Sequence, residues 1–230
     1  MLGAVAKHKA NIKCTVVTSS CVAVCSFTDA CKPKNGPVFT EDDWNETSTT
    51  QKGAYHLSKV TAEKAAWEIA KAEGFKMVTV NPSFVVGPPT SDRNDGTSIG
   101  FGLGLLKEKK LGMFGISCVD VRDVGKAHIN ACLNEQSEGR YICADANGAT
   151  NWSVWESAGE ALKAAIPDIE PVEKPEGDAG LPPGTPGGGF DNSKVQSKDG
   201  AGLGIELMDI GKSMADMAAA MKVTHAAHLA

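Results

Sequence analysis

Gly53 to Trp67 reads GAYHLSKVTAEKAAW, and this segment sets the interpretation of the whole chain. Good helix formers fill it, and small or apolar residues recur at helical spacing through Leu57, Val60, Ala65 and Ile69, which predicts a buried helix. On such a helix Tyr55 and Lys59 stand one turn apart on the same face. An ammonium beside a phenol draws the phenolic pKa down from its usual value of about 10, so the pair is expected to act as a proton donor. Upstream, Val16-Val17-Thr18-Ser19-Ser20 reads as a short apolar strand ending in hydroxyls. Thr18-Ser19-Ser20 would also suit a plain turn or helix cap. A strand-end serine together with a helical Tyr-x-x-x-Lys is the equipment for moving a hydride onto a carbonyl.

Six blocks fall in a fixed order: VVTSSCVAV (16–24), FTEDDW (39–44), YHLSKVTAEKAAWEIA (55–70), VNPSFVVGPP (80–89), VDVRDVGKAHI (119–129) and EGRYIC (138–143). In order and spacing they resemble the extended short-chain dehydrogenase/reductases of the NAD-dependent epimerase/dehydratase superfamily, and within them the dihydroflavonol reductase and cinnamoyl-CoA reductase group. The resemblance covers residues 12–145, with a weaker echo in FDNSK, GLGIEL and a final helix to about residue 222. It implies Ser20 (with Ser19 the nearest rival), Tyr55 and Lys59 as catalytic residues. It implies a cofactor site made of Thr18, Ser19, Tyr55, Lys59, Pro82, Ser83 and Phe84, and a substrate side of Ser20, Cys25 and Tyr55. The implied cofactor is NADP, with NAD as the alternative, and the implied partner is a small-molecule carbonyl compound. The group's cinnamoyl-CoA members carry N-W-Y-C-Y-G-K at the catalytic helix, and KGAYHLSK departs from that. A general ketone or aldehyde reductase is therefore the expectation, with a nucleotide-sugar epimerase/dehydratase or a hydroxysteroid dehydrogenase-like enzyme as runner-up.

That family opens with a strand, a G-x-x-G-x-x-G turn and a helix that hold the cofactor pyrophosphate on backbone N–H groups. No glycine-rich strand-to-helix turn precedes Ser20, and the alternating Gly100, Gly102 and Gly104 follow no strand. The expected fold is thus α/β: a partial Rossmann arrangement, the C-terminal half of a doubly wound parallel sheet, with a small substrate-side cap. Residues 1–150 would form the NAD(P)-binding half with the catalytic helix, and 151–230 the cap. A partner chain supplying the missing half, or a truncated, non-catalytic fragment, are further expectations.

Composition narrows the classes. A net charge of −5 offers no basic face to nucleic acid. No apolar run approaches the eighteen or so residues of a membrane span. Seven cysteines, an odd count with no C-x-x-C pair, suit reduced thiols and a cytoplasmic setting, and no metal site is expected. Sequons at Asn45 and Asn151 read as chance.

Along the chain, Cys14–Thr18 should be a buried parallel strand, Lys76–Asn81 the next strand, and Pro82–Pro89 a stiff turn. Lys32–Thr50 reads as a loop at the site mouth, with Trp44 either a packing anchor or a wedge against the helix. Asp123 suits a helix start, and His128 reads as packed on a helix face. GLPPGTPGGG (180–189) is either a lid or a connector. Ile210, Met214, Met217 and Met221 step at helical spacing as core packing.

Overall fold

The computed structural model describes residues 1–26, 31–111, 117–145, 152–172 and 189–229. Most of the stretch 180–189 and the sequon asparagine at 151 lie outside the described residues. Three strands, β1 (Thr15–Thr18), β2 (Met77–Pro82) and β5 (Gly139–Cys143), form a parallel sheet in the order β1-β2-β5. A second, two-stranded parallel sheet pairs β3 (Phe84–Val86) with β4 (Cys118–Asp120). This is the expected α/β architecture.

Helix α2 (Ala54–Glu73) makes the crossover from β1 to β2 and stops at Gly74, which takes the left-handed conformation (φ 68°) that a glycine adopts without strain. Its buried face differs from the expected one: Val60, Glu63, Ala66 and Ala70 turn inward, whereas Ala65 and Ile69 are exposed. The two inward alanines pack with Met77, bringing the helix axis close to the sheet, and the face they define carries a carboxylate.

β1 is not the fully buried strand expected. It pairs on one side only, its valines are half-buried and Thr18 is exposed. Thr15 and Ser19 donate to carbonyls of Lys76 and Val80, so alternation turns the backbone groups of Val16 and Thr18 toward the open edge. The opposite edge is guarded. Glu41 accepts from the N–H of Ile142 at 3.1 Å, and Lys194 donates to the carbonyls of Glu138 and Arg140 at 2.8 and 2.9 Å.

The stiff turn expected at Pro82–Pro89 is instead a change of partner. Ser83 N–H still bonds Cys143 of β5, but Phe84 N–H bonds Ser117, and β3 then runs beside β4. Helix α3 (Thr97–Glu108) follows, and α4 (Val121–Leu133) starts on Asp120, whose carboxylate accepts from Arg122 N–H at 2.7 Å. Asp123 is buried and holds Met208 N–H at 2.7 Å.

Two cores result. The sheet packs against α4 through Val78, Val80, Ala127, Ala131 and Tyr141, and Val195, Leu203 and Ile205 from late in the chain join it. The second core combines Val86, Leu105 and Leu111 with α5 (Trp152–Leu162) and α7 (Ile210–Thr224). Ile210, Met214, Met217 and Met221 are all buried there, as their spacing indicated, and each such side chain contributes about 1.5–3 kcal/mol. Among the described residues no helix is long and apolar enough to cross a membrane.

Candidate active site

A crossover helix between parallel strands runs antiparallel to them, so the first turns of α2 sit at the carboxyl edge of the sheet, where β1 and β2 end. Tyr55 projects there, 61% exposed, and Lys59 lies one turn on with Nζ 5.6 Å from the centre of the phenol ring. Ser20 follows the end of β1. Its hydroxyl accepts from Val22 N–H at 3.3 Å and caps a 3-10 turn, Cys21–Ala23, which packs against α2. Ser20, Tyr55 and Lys59 thus share one end of the sheet, the end at which open α/β sheets place their ligands.

The other candidates divide. Ser19 is buried and donates its hydroxyl to Glu63, whereas Ser20 is only half-buried. Thr18 lies 2.7 Å from His128 Nε2. Val124 O, 2.8 Å from Nδ1, can only accept, so Nδ1 carries a proton and Nε2 shares its hydrogen bond with the Thr18 hydroxyl. His128 is therefore a packed, hydrogen-bonded residue of α4. Cys25 is wholly buried with Cys21, Val22, Phe39 and Ile142, and burial first, then its bond with Cys31, pushes its thiol well up. Cys21 is likewise pushed up to about 12 by burial.

Pro82 and Ser83 are buried and Phe84 is half-buried, its ring edge-on to Phe101 at 5.6 Å. The Ser83 hydroxyl has no hydrogen-bond partner among the described residues, although it is buried at the point where the chain leaves one sheet for the other. Trp44 is a packing anchor: the Arg140 guanidinium lies 3.9 Å from its ring centre and Lys64 Nζ 5.2 Å. Two open clefts lie elsewhere, one at the amino edge of the sheet between Trp67, Phe75 and Gly139, the other between α4 and residues 204–212. Among the described residues no group of His, Cys, Asp and Glu could hold a metal ion.

Glu63 is the residue that sequence reasoning missed. Its carboxylate, one turn beyond Lys59, accepts from Arg140 Nε (2.7 Å), Asn81 Nδ2 (2.8 Å), Trp67 Nε1 (3.3 Å) and Ser19 Oγ. The available signal was a polar pair, Thr79 and Asn81, two apart on one face of an otherwise apolar strand.

Residues 2–144 match the model of the NAD dependent epimerase/dehydratase family, and the chain belongs to that family. A Candida albicans protein provisionally named an NADPH-dependent methylglyoxal reductase is 32% identical over 238 residues, covering 95% of this chain and 65% of that protein. Anthocyanidin reductase of Arabidopsis thaliana is 34% identical over 154 residues, covering 60% of this chain and 44% of its own length. The chain spans about two thirds or less of the curated relatives it matches. Among solved structures, the yeast methylglyoxal/isovaleraldehyde reductase Gre2 complexed with NADPH superposes with a TM-score of 0.71 at 26% identity, covering 96% of this chain and 67% of that one. The fold is that of Rossmann-type reductases.

Proposed function

We propose that this site reduces a ketone or aldehyde with NADPH. The observation that carries the reading is the Tyr55–Lys59 pair at the carboxyl edge of a parallel sheet, the edge at which β1 leads into Ser20. Ser20 donates a hydrogen bond to the substrate carbonyl oxygen. Tyr55 gives its proton to that oxygen as negative charge develops on it, and Lys59 stabilises the phenolate left behind while holding the cofactor ribose. When bound, the nicotinamide supplies the hydride that lands on the carbonyl carbon. General acid assistance of this kind is worth roughly 10²–10⁴-fold.

The residues fit the nicotinamide end of such a cofactor. The buried Ser83 hydroxyl, without a partner among the described residues, is a polar group suited to the nicotinamide end, and the backbone of Pro82–Phe84 would back the ring. For the pyrophosphate end the sequence has no G-x-x-G-x-x-G, and no glycine-rich strand–turn–helix occurs among the described residues. On its own the chain therefore binds NADPH weakly, and a polypeptide carrying that turn would complete the site along the open edge of β1.

Resemblance to anthocyanidin and methylglyoxal reductases supports a small carbonyl substrate, aromatic or aliphatic. The experiment offers methylglyoxal, aromatic ketones and UDP-sugars separately at saturating, millimolar cofactor. Carbonyl reduction is read as NADPH oxidation and UDP-sugar conversion by chromatography of the product, since epimerisation and dehydration consume no net reductant. Turnover with the carbonyl compounds is expected. Turnover confined to UDP-sugars would replace this reading with that of an epimerase or dehydratase.

A further inference from the structure

We infer that Glu63 is a positioning residue that locks the strand end bearing Ser20 to the helix bearing Tyr55 and Lys59. The inference deepens the reductase reading and rests on it.

Proton counting fixes the arrangement. Thr79 has one hydroxyl proton and two acceptors in reach, Asn81 Oδ1 at 2.9 Å and Glu63 Oε1 at 3.2 Å. Oε1 already accepts from Arg140 and Trp67, so Thr79 serves Asn81. That bond turns the Asn81 amide so that Nδ2 reaches both Glu63 Oε2, at 2.8 Å, and the backbone carbonyl of Ser20, at 3.2 Å. Ser19, the residue before Ser20, donates to the same Oε2. The Ser20 backbone is thereby held from both sides of one carboxylate oxygen, and that carboxylate is rigidly carried one turn from Lys59 on α2.

The other oxygen anchors the assembly. Arg140 pairs with it from β5 while its Nη1 donates to the carbonyls of Glu41, at 2.9 Å, and Asp43. A carboxylate buried among four donors costs too much to be needed for packing alone. What it secures is the relative placement of three elements that each carry part of the site. A misplacement of about 1 Å among reacting groups can cost about 10²-fold in rate.

The test uses two variants that avoid a lone buried charge. Asn81→Ala removes the link to Ser20 and leaves the Glu63–Arg140 pair intact. The double variant Glu63→Leu/Arg140→Met removes both charges together and leaves neither Ser19 nor Asn81 an acceptor at that position. Hydrogen exchange on the folded chain reads the geometry without catalysis. Amides of Ser19–Val24 should exchange about tenfold faster in both variants, with Tyr141–Cys143 unchanged in Asn81→Ala. In turnover at saturating NADPH, kcat should fall about 10²-fold while KM for the carbonyl substrate holds. Wild-type exchange at Ser19–Val24 with wild-type kcat would overturn the proposal. Tyr55→Phe run alongside separates the two readings: if it too turns over normally, the reductase assignment itself has failed.

Discussion

Arg140 Nε donates to Glu63 Oε1 at 2.7 Å, across the sheet from β5 to α2, and both side chains are removed from water. A buried pair of this kind adds little over a well-packed apolar pair, but removing one partner strands the other charge. Arg140→Met should therefore cost about 3–5 kcal/mol in urea unfolding. A loss under about 1 kcal/mol would mean that water reaches Glu63 and that the carboxylate is not confined as described.

Glu41 acts in the opposite sense. Burial raises its carboxyl above the ordinary value, and the N–H of Ile142 offsets this only in part. A carboxyl whose pKa is raised on folding binds its proton more tightly in the folded state, so stability is lost as pH rises from the unfolded value through the folded one. Glu41→Gln keeps an acceptor for Ile142 without the charge. It should be more stable than wild type near neutrality, and the gain should vanish below the ordinary glutamate value of about 4.3. Parallel melting curves at acid and neutral pH check the sign.

Gly87 follows β3 directly and lies against the start of α4. Its φ is 120°, and an added Cβ would lie 3.0 Å from Val121 Cγ1 and 3.1 Å from Asp120 Oδ2. Gly87→Ala should destabilise by about 1–3 kcal/mol through backbone strain and crowding. A neutral result in thermal melting would show that the turn relaxes.

Much of this was legible in the chain. Helix α2, the methionine stripe of α7 and the family all follow from local pattern, because each is written in contiguous residues. What escaped depends on partners distant in sequence. Val16 and Val17 look like a core strand because apolar runs do not reveal that one edge is open. Phe84–Val86 looks like a proline-bounded turn because its strand character comes from Cys118–Asp120, more than thirty residues on. Glu63 looks like a solvated helix residue until Ser19, Asn81 and Arg140 converge on it. Tyr55 and Lys59 were readable from spacing, whereas the inward turn of Ser19 and the full burial of Cys25 needed the fold.

Cofactor affinity gives a separate check on how the site is divided. On the proposed division of the site, and with no G-x-x-G-x-x-G in the sequence, calorimetric titration of NADPH into the isolated chain should give a dissociation constant far weaker than micromolar. Micromolar binding would show that the pyrophosphate is held by groups other than a glycine-rich turn.

The central claim is that Tyr55 supplies the proton, and it is tested by comparing wild type with Tyr55→Phe at saturating NADPH. The phenyl ring keeps the packing against Lys59 and His56, so cofactor binding should stay within about twofold. Carbonyl reduction should fall by roughly 10²–10⁴-fold. Undiminished turnover by a folded Tyr55→Phe chain would contradict the account.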